Sequence, residues 1–455
     1  MPYFASKRRI RVEFKLELLL IINFGNPMII EFFVENYKSI KSRQSLNLTK
    51  MLGNEMVDNS FEIKASKKLS LLRSAVIYGA NAAGKSNFVS ALKTMQSIVK
   101  KSAKDSQRGD KLPVSPFRLS NKSVKEPTEF EIVFLVQGVK YQYGFSLTED
   151  QIRDEWLFAS PKGRPQRWFI RAYDSEAQEY VWDFSSHFQG QKQLWKDATK
   201  SNSLFLSTAV MLNSEQLKPV FDWFNKSLRV AGIDGWGPGL TTNLCNDKDS
   251  KSEVLNFLKS ADLDINDIHL ETRKIEKDFL PNNMPDELKN KIINELEGKE
   301  IVDIKTVHKN SEGEDVFFDL NEESDGTRKL FSFAGHWLDC LRNGKVLFID
   351  ELHNSLHPNM VKFLIKLFND QKTNPHNAQL VFTTHETSVL DQHVFRRDQI
   401  WFCNKDKNQS TTIYPLTDFS PRKGVSNLEK AYLSGRYGAL PLVSNFQFLG
   451  SNDGQ

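Results

Sequence analysis

Gly79-Ala80-Asn81-Ala82-Ala83-Gly84-Lys85-Ser86 matches the phosphate-binding pattern G-x-x-x-x-G-K-[ST] at every fixed position. Glycines and small residues let backbone N–H groups wrap a phosphate chain. Lys85 brings a cation to the β- and γ-phosphates, Ser86 a hydroxyl for Mg2+, and Asn87 is the next nucleotide-binding candidate. The flanks supply the context that such a loop needs. Ser74-Ala75-Val76-Ile77-Tyr78 is a short apolar run, as in a buried strand. Phe88, Ala91, Leu92, Met95, Ile98 and Val99 then recur at helical spacing. Strand, loop and helix in that order direct the partial positive charge of a helix N-terminus at the anion. The stretch predicts an α/β protein that binds a nucleoside triphosphate.

At 455 residues the chain has room for about two or three domains. Charged residues at 26% and hydrophobic ones at 39% describe an ordinary globular protein, and no stretch approaches the length of a membrane span. A net charge of +4 neither demands nor excludes nucleic acid. Cys245, Cys340 and Cys403 lack C-x-x-C spacing and read as reduced thiols of a cytoplasmic protein. Lys7-Arg8-Arg9 followed by Leu18–Ile22 superficially resembles an export signal. Glu13, Lys15 and Glu17 interrupt it, so residues 1–27 read as an extension from a start assigned too early.

From Met28 the chain reads as an edge or half-buried strand with Phe32 and Val34 inward, ending at Asn36-Tyr37-Lys38-Ser39. Beyond the loop helix, Lys100 to Arg108 is a basic link, a solvated helix end that leaves a nucleic-acid contact open. Phe130–Val136, a turn at Gln137-Gly138, Val139–Leu147 and Arg167–Ile170 read as antiparallel strands. Between 211 and 300 the spacing turns helical, at Leu217, Val220, Phe221 and Phe224, at Val254, Leu255 and Leu258, and at Leu288, Ile292 and Leu296. Loop signals separate these at Gly235–Gly239 and Pro281–Asn283, and no heptad repeat is sustained. Strands return at Ile301–Val307 and Val316–Leu320.

The second half carries three more candidates. Lys345-Val346-Leu347-Phe348-Ile349 is an apolar strand ending in Asp350-Glu351. Beside a phosphate loop, the first carboxylate suits Mg2+ and the second can orient and deprotonate water. Gln379–Thr384 is another strand and ends in His385. The gap leaves room for one crossover helix, with Val361, Leu364, Ile365 and Phe368 on its apolar stripe. Both strand ends would open on the edge where ligands sit in α/β sheets, putting His385 in reach of a γ-phosphate. Ser324-Asp325-Gly326 begins a helix with an apolar face of Leu330, Phe331, Ala334, Trp337, Leu338 and Leu341.

This order of motifs resembles the ABC-type ATPases of the SMC/RecF branch. Within it the chain is similar to those of bacterial phage-defence systems, such as RloA, AriA of PARIS and PtuA of Septu, with the OLD family more distant. Further residues carry the likeness: Asp350-Glu351-Leu352-His353-Asn354-Ser355-Leu356-His357-Pro358, Arg397-Asp398-Gln399-Ile400-Trp401-Phe402 and Leu433-Ser434-Gly435-Arg436-Tyr437-Gly438-Ala439-Leu440-Pro441. They do not distinguish among the systems. The resemblance implies a P-loop ABC-ATPase head with a mixed central sheet, an antiparallel β subdomain and a helical insertion. Its lobes would be 28–210 and 301–415, with the insertion at 211–300 and a tail at 416–455. It also implies two ATP molecules held in a homodimer or higher oligomer. Glu351 would be the base, His385 the γ-phosphate switch, Ser86 and Asp350 the Mg2+ ligands, and Asn36 a nucleotide contact. Ser324 and Gly326 would reach the ATP of the other subunit. The signature departs from the family's Leu-Ser-Gly-Gly-Gln.

The segment after His385 is too short for the Toprim nuclease domain of OLD proteins. The expectation is therefore a cytoplasmic ATPase that senses and regulates a separate nuclease or toxin in abortive-infection defence. The alternative is a RecF/SMC-like ATPase that clamps or repairs DNA.

Overall fold

A computed structural model of the protein describes residues 25–51, 53–63, 69–233, 235–274, 285, 288, 300–419 and 427–441. Residues 1–24 of the expected extension, the helical positions Ile292 and Leu296, the loop Pro281–Asn283 and most of the tail lie outside them. The chain divides into two compact units. One comprises Met1–Ile233, Asn343–Asn354 and Leu364–Gln455; the other comprises Asp234–Arg342 and Ser355–Phe363.

Two sheets build the first unit. In one, the strand order is Leu228–Ala231, Val346–Ile349, Gln379–Thr384, Ser74–Tyr78, Ile400–Lys405, Thr411–Pro415. Every neighbouring pair is parallel except the last, which makes the sheet mixed. Its three central strands are buried at every position, as expected for parallel strands covered on both faces. Register pairs Ile349 with Phe382 and Thr384 with Tyr78, so the phosphate loop, Asp350-Glu351 and His385 leave the sheet at one edge. The crossover helix Pro358–Asn369 buries Val361, Leu364, Ile365 and Phe368, the stripe anticipated from spacing.

The other sheet is antiparallel, in the order Glu179–Phe184, Gln166–Asp174, Ile152–Ser160, Val139–Leu147, Thr128–Val136, Met28–Glu35, Gln44–Asn47. Met28–Glu35 is not an edge strand, because Gln44–Asn47 covers its outer side. Phe32 and Val34 are buried, and the Phe32 ring meets Phe88 of the loop helix edge-on at 5.3 Å. The Gln137-Gly138 hairpin has positive φ at both central residues, which matches the strand twist.

The stretch 211–300, expected to be mostly helical, is more mixed among its described residues. Lys218–Asp222 and Lys248–Ser260 are helices at the anticipated spacings. Between them Leu228–Ala231 extends instead and pairs with Val346–Ile349. A four-residue strand has no periodicity of its own to reveal it. Asp267–Lys274 is also a strand and forms, with Glu300–Lys309 and Asp315–Asp319, a three-stranded antiparallel sheet in the second unit. There the helix Asp325–Asn343 buries Leu330, Phe331, Ala334, Trp337 and Leu341. Gly335 admits close backbone contact: a Cβ there would stand 2.7 Å from the Thr241 nitrogen.

Candidate functional site

Residues 81–87, with Ser39, Ile233, Glu351, His385 and Lys405, line a cavity of about 580 Å³ in the first unit, a size suited to a small-molecule ligand. Lys85 opens the helix Lys85–Lys101, whose first turn carries no acidic residue to oppose an anion. Its Nζ is buried and donates to the Gly79 carbonyl at 2.7 Å and the Ala80 carbonyl at 3.1 Å. Burial pulls this ammonium below the usual lysine range, while Cys403, Glu351 and Asp350 act against that shift.

A relay of side chains braces the loop from behind. Asn87 Nδ2 donates to Ser39 Oγ at 2.7 Å, Ser39 Oγ and Thr411 Oγ1 share a hydrogen bond of 2.8 Å, and Thr411 Oγ1 donates to the Ala83 carbonyl at 2.8 Å. Both motif glycines are demanded by this packing. At Gly84, with φ +112°, a Cβ would fall 2.0 Å from Thr411 Oγ1; at Gly79 it would fall 2.3 Å from the Cys403 carbonyl. Thr411→Val keeps the shape but takes from the buried Ala83 carbonyl its 2.8 Å hydrogen bond, leaving it the weak Cys403 Sγ contact at 3.5 Å. We expect unfolding free energy to drop by about 1–3 kcal/mol and nucleotide to bind more weakly, checked by denaturant melts and nucleotide titration. Wild-type values in both would show the relay to be dispensable.

Asp350 is buried behind the cavity, and its Oδ1 accepts from Thr383 Oγ1 at 2.6 Å. The same hydroxyl accepts from the Glu351 N–H at 2.8 Å. Thr383 thus ties the acidic strand to the histidine strand and holds Glu351 in a left-handed conformation, φ 51°, which is strained for a non-glycine residue. Glu351 faces the cavity, as does His385, whose Nε2 lies 3.0 Å from His353 Nε2. Ser86 and Asp350 offer only oxygen donors, a set suited to Mg2+.

The other predicted residues fall elsewhere. Asn36 does not line the cavity. Its Nδ2 donates to the carbonyls of Ser123 and Glu126 at 2.8 Å and of Pro127 at 3.2 Å, and its Oδ1 accepts from the Phe117 N–H at 3.0 Å. The amide is saturated by the 117–127 loop, which corrects its reading as a nucleotide contact; Ser39, at the end of the same tetrapeptide, reaches the cavity instead. Ser324 and Gly326 belong to the second unit. There Ser324 Oγ accepts from the Thr327 N–H at 3.1 Å and caps the helix, while Arg328 donates to Asp325.

Sequence reading missed Thr383, Thr411, Ile233 and Lys405. Two adjacent threonines, Thr383 and Thr384, closing a fully buried strand are the one local signal for Thr383. The Arg397–Phe402 motif is structural. Asp398 and Gln399 lock the amino-terminal end of the parallel sheet, where Gln399 Nε2 donates to the Ser74 carbonyl at 2.9 Å. In the Leu433–Pro441 motif, Tyr437 stacks on Phe402 with ring centroids 5.4 Å apart, and Tyr414 Oη donates to the Tyr437 carbonyl at 2.9 Å.

A parallel-centred sheet with phosphate loop, acidic pair and histidine on one edge defines a P-loop ATPase head. Residues 74–391 match the family described as "AAA domain, putative AbiEii toxin, Type IV TA system", and the chain belongs to that family. Among solved structures it is similar to the SMC head domain from Thermotoga maritima, at 13% identity over 85% of this chain and 98% of that one, TM-score 0.38. It is also similar to the Smc head domain of Pyrococcus furiosus bound to the C-terminal domain of ScpA, at 12% identity over 86% and 97%, TM-score 0.37. The recombination mediator RecF gives 14% identity over 86% and 99%, TM-score 0.33. No curated protein matches the chain. Among the described residues no helix is long and apolar enough to cross a membrane.

Proposed function

We propose that the protein hydrolyses ATP to ADP and phosphate, dimerises around the nucleotide, and regulates a separate effector in defence against phage. The observation that carries the hydrolytic reading is the meeting of Lys85, Glu351 and His385 on one cavity. Lys85 and the N–H groups of the loop would hold the phosphates, and Ser86 with Asp350 would hold Mg2+. When bound, that ion supplies positive charge to the phosphate oxygens. Glu351 takes the proton of the attacking water, with its backbone locked by Thr383, and His385 meets the γ-phosphate.

The cavity lining comes from the first unit alone, and the helix start at Ser324–Gly326, exposed at Ser324 and Asp325, would close the site from a second copy. Glu351→Gln protein with ATP should sediment at twice the monomer mass, and with ADP as a monomer. A monomer under both conditions would overturn the dimer. The effector reading is supported by the toxin–antitoxin description of the family. Copurification with the product of the adjacent open reading frame tests it. A bound nuclease or toxin supports it, whereas DNA-stimulated turnover with no partner favours the RecF-like alternative.

A further inference from the structure

His353 lies two positions beyond Glu351, in the turn after the acidic strand, and is half-buried. His385 ends the neighbouring parallel strand. Their Nε2 atoms stand 3.0 Å apart, their ring centroids 3.9 Å apart, and their planes are inclined by 73°. At that distance one Nε2 carries the hydrogen and the other accepts it. The edge-to-face contact also limits how far either ring can turn. Only His385 of the two lines the cavity, so His353 has no place among the groups that would touch substrate. Among the described residues no group of three or more metal-ligating side chains includes the pair.

We propose that His353 is the positioning residue of His385, setting its ring orientation and the hydrogen at its Nε2. This rests on His385 being the γ-phosphate contact. The two rings come from turns on adjacent strands that Thr383 already joins, through Asp350 and the Glu351 N–H. The ring that meets the phosphate is therefore indexed to the strand that carries the base. Glu386, the next residue, feels the charge of both imidazoles. Its carboxyl lies below the usual range chiefly because it accepts from the Ser388 N–H, with the imidazoles adding to that effect.

His353→Leu tests the assignment. Loss of alignment should lower kcat roughly ten- to a hundredfold with KM for ATP little changed. His353→Gln, whose amide can still hydrogen-bond His385, should recover most of the rate at an unchanged melting temperature. In the double variant His353→Leu/His385→Ala, kcat should equal that of His385→Ala alone, because a residue acting through another adds nothing once its target is gone. Independent, multiplying losses would overturn the proposal, as would a Gln variant no better than Leu. Wild-type turnover in His385→Ala would overturn the γ-phosphate assignment itself. Lost turnover in His385→Ala beside full turnover in His353→Leu would overturn only the positioning.

Discussion

Glu351→Gln is expected to stop ATP turnover while leaving ATP bound. A general base contributes about 10²- to 10⁴-fold to rate, and kcat should fall by that factor in a phosphate-release assay. The substitution keeps size and shape, and the Glu351 N–H that donates to Thr383 Oγ1 at 2.8 Å is a backbone group that survives it. The loop, Lys85 and the Asp350–Thr383 bond lie outside the change, so nucleotide affinity should stay close to wild type. Lys85→Ala should do the reverse. It removes the buried cation that reaches the Gly79 and Ala80 carbonyls, and binding itself should fail. Together the two variants separate phosphate binding from water activation. If Glu351→Gln hydrolyses ATP at the wild-type rate, the base lies elsewhere on the cavity. If it loses affinity as Lys85→Ala does, Glu351 is holding the site together, not acting on water.

The parts of this site legible in the sequence are those where local pattern and chemistry coincide. A glycine loop between an apolar run and a helical stripe has one arrangement in which its N–H groups are useful, and the crossover spacing places the acidic and histidine strands side by side. The illegible parts depend on partners remote in the chain. Thr411 is one threonine in a short strand until the fold sets it against Ala83. Asn36 ends a strand in a polar tetrapeptide, and nothing local says that its amide will face the carbonyls of Ser123 and Glu126 while Ser39 takes the cavity. Leu228–Ala231 follows helical spacing and becomes a strand because the edge of Val346–Ile349 would otherwise be unpaired. Motif recognition has a similar limit. Arg397–Phe402 carried the family likeness as strongly as the acidic pair did, yet its side chains serve the fold.

That distinction yields the largest stability effect. Asp398 and Arg396 are 4% and 1% exposed at their side chains. The guanidinium grips the carboxylate with both prongs, Nε to Oδ1 at 2.9 Å and Nη2 to Oδ2 at 2.8 Å, and Oδ2 also accepts from the Met51 N–H at 2.9 Å. Arg396 further donates to the carbonyls of Glu55 and Met51. Asp398→Ala would leave that cation buried without its counter-charge, and unfolding free energy should fall by about 3–5 kcal/mol, read from denaturant melts. Arg396→Met/Asp398→Leu, which removes both charges and fills the space, should recover most of the loss, because the desolvation cost goes with the pair. The network acts through Gln399 on Ser74, at the start of the strand whose far end carries the phosphate loop. Fully folded Asp398→Ala protein should therefore keep its KM for ATP. A variant as stable as wild type, or one that folds fully and still loses ATP affinity, would return the motif to the functional site.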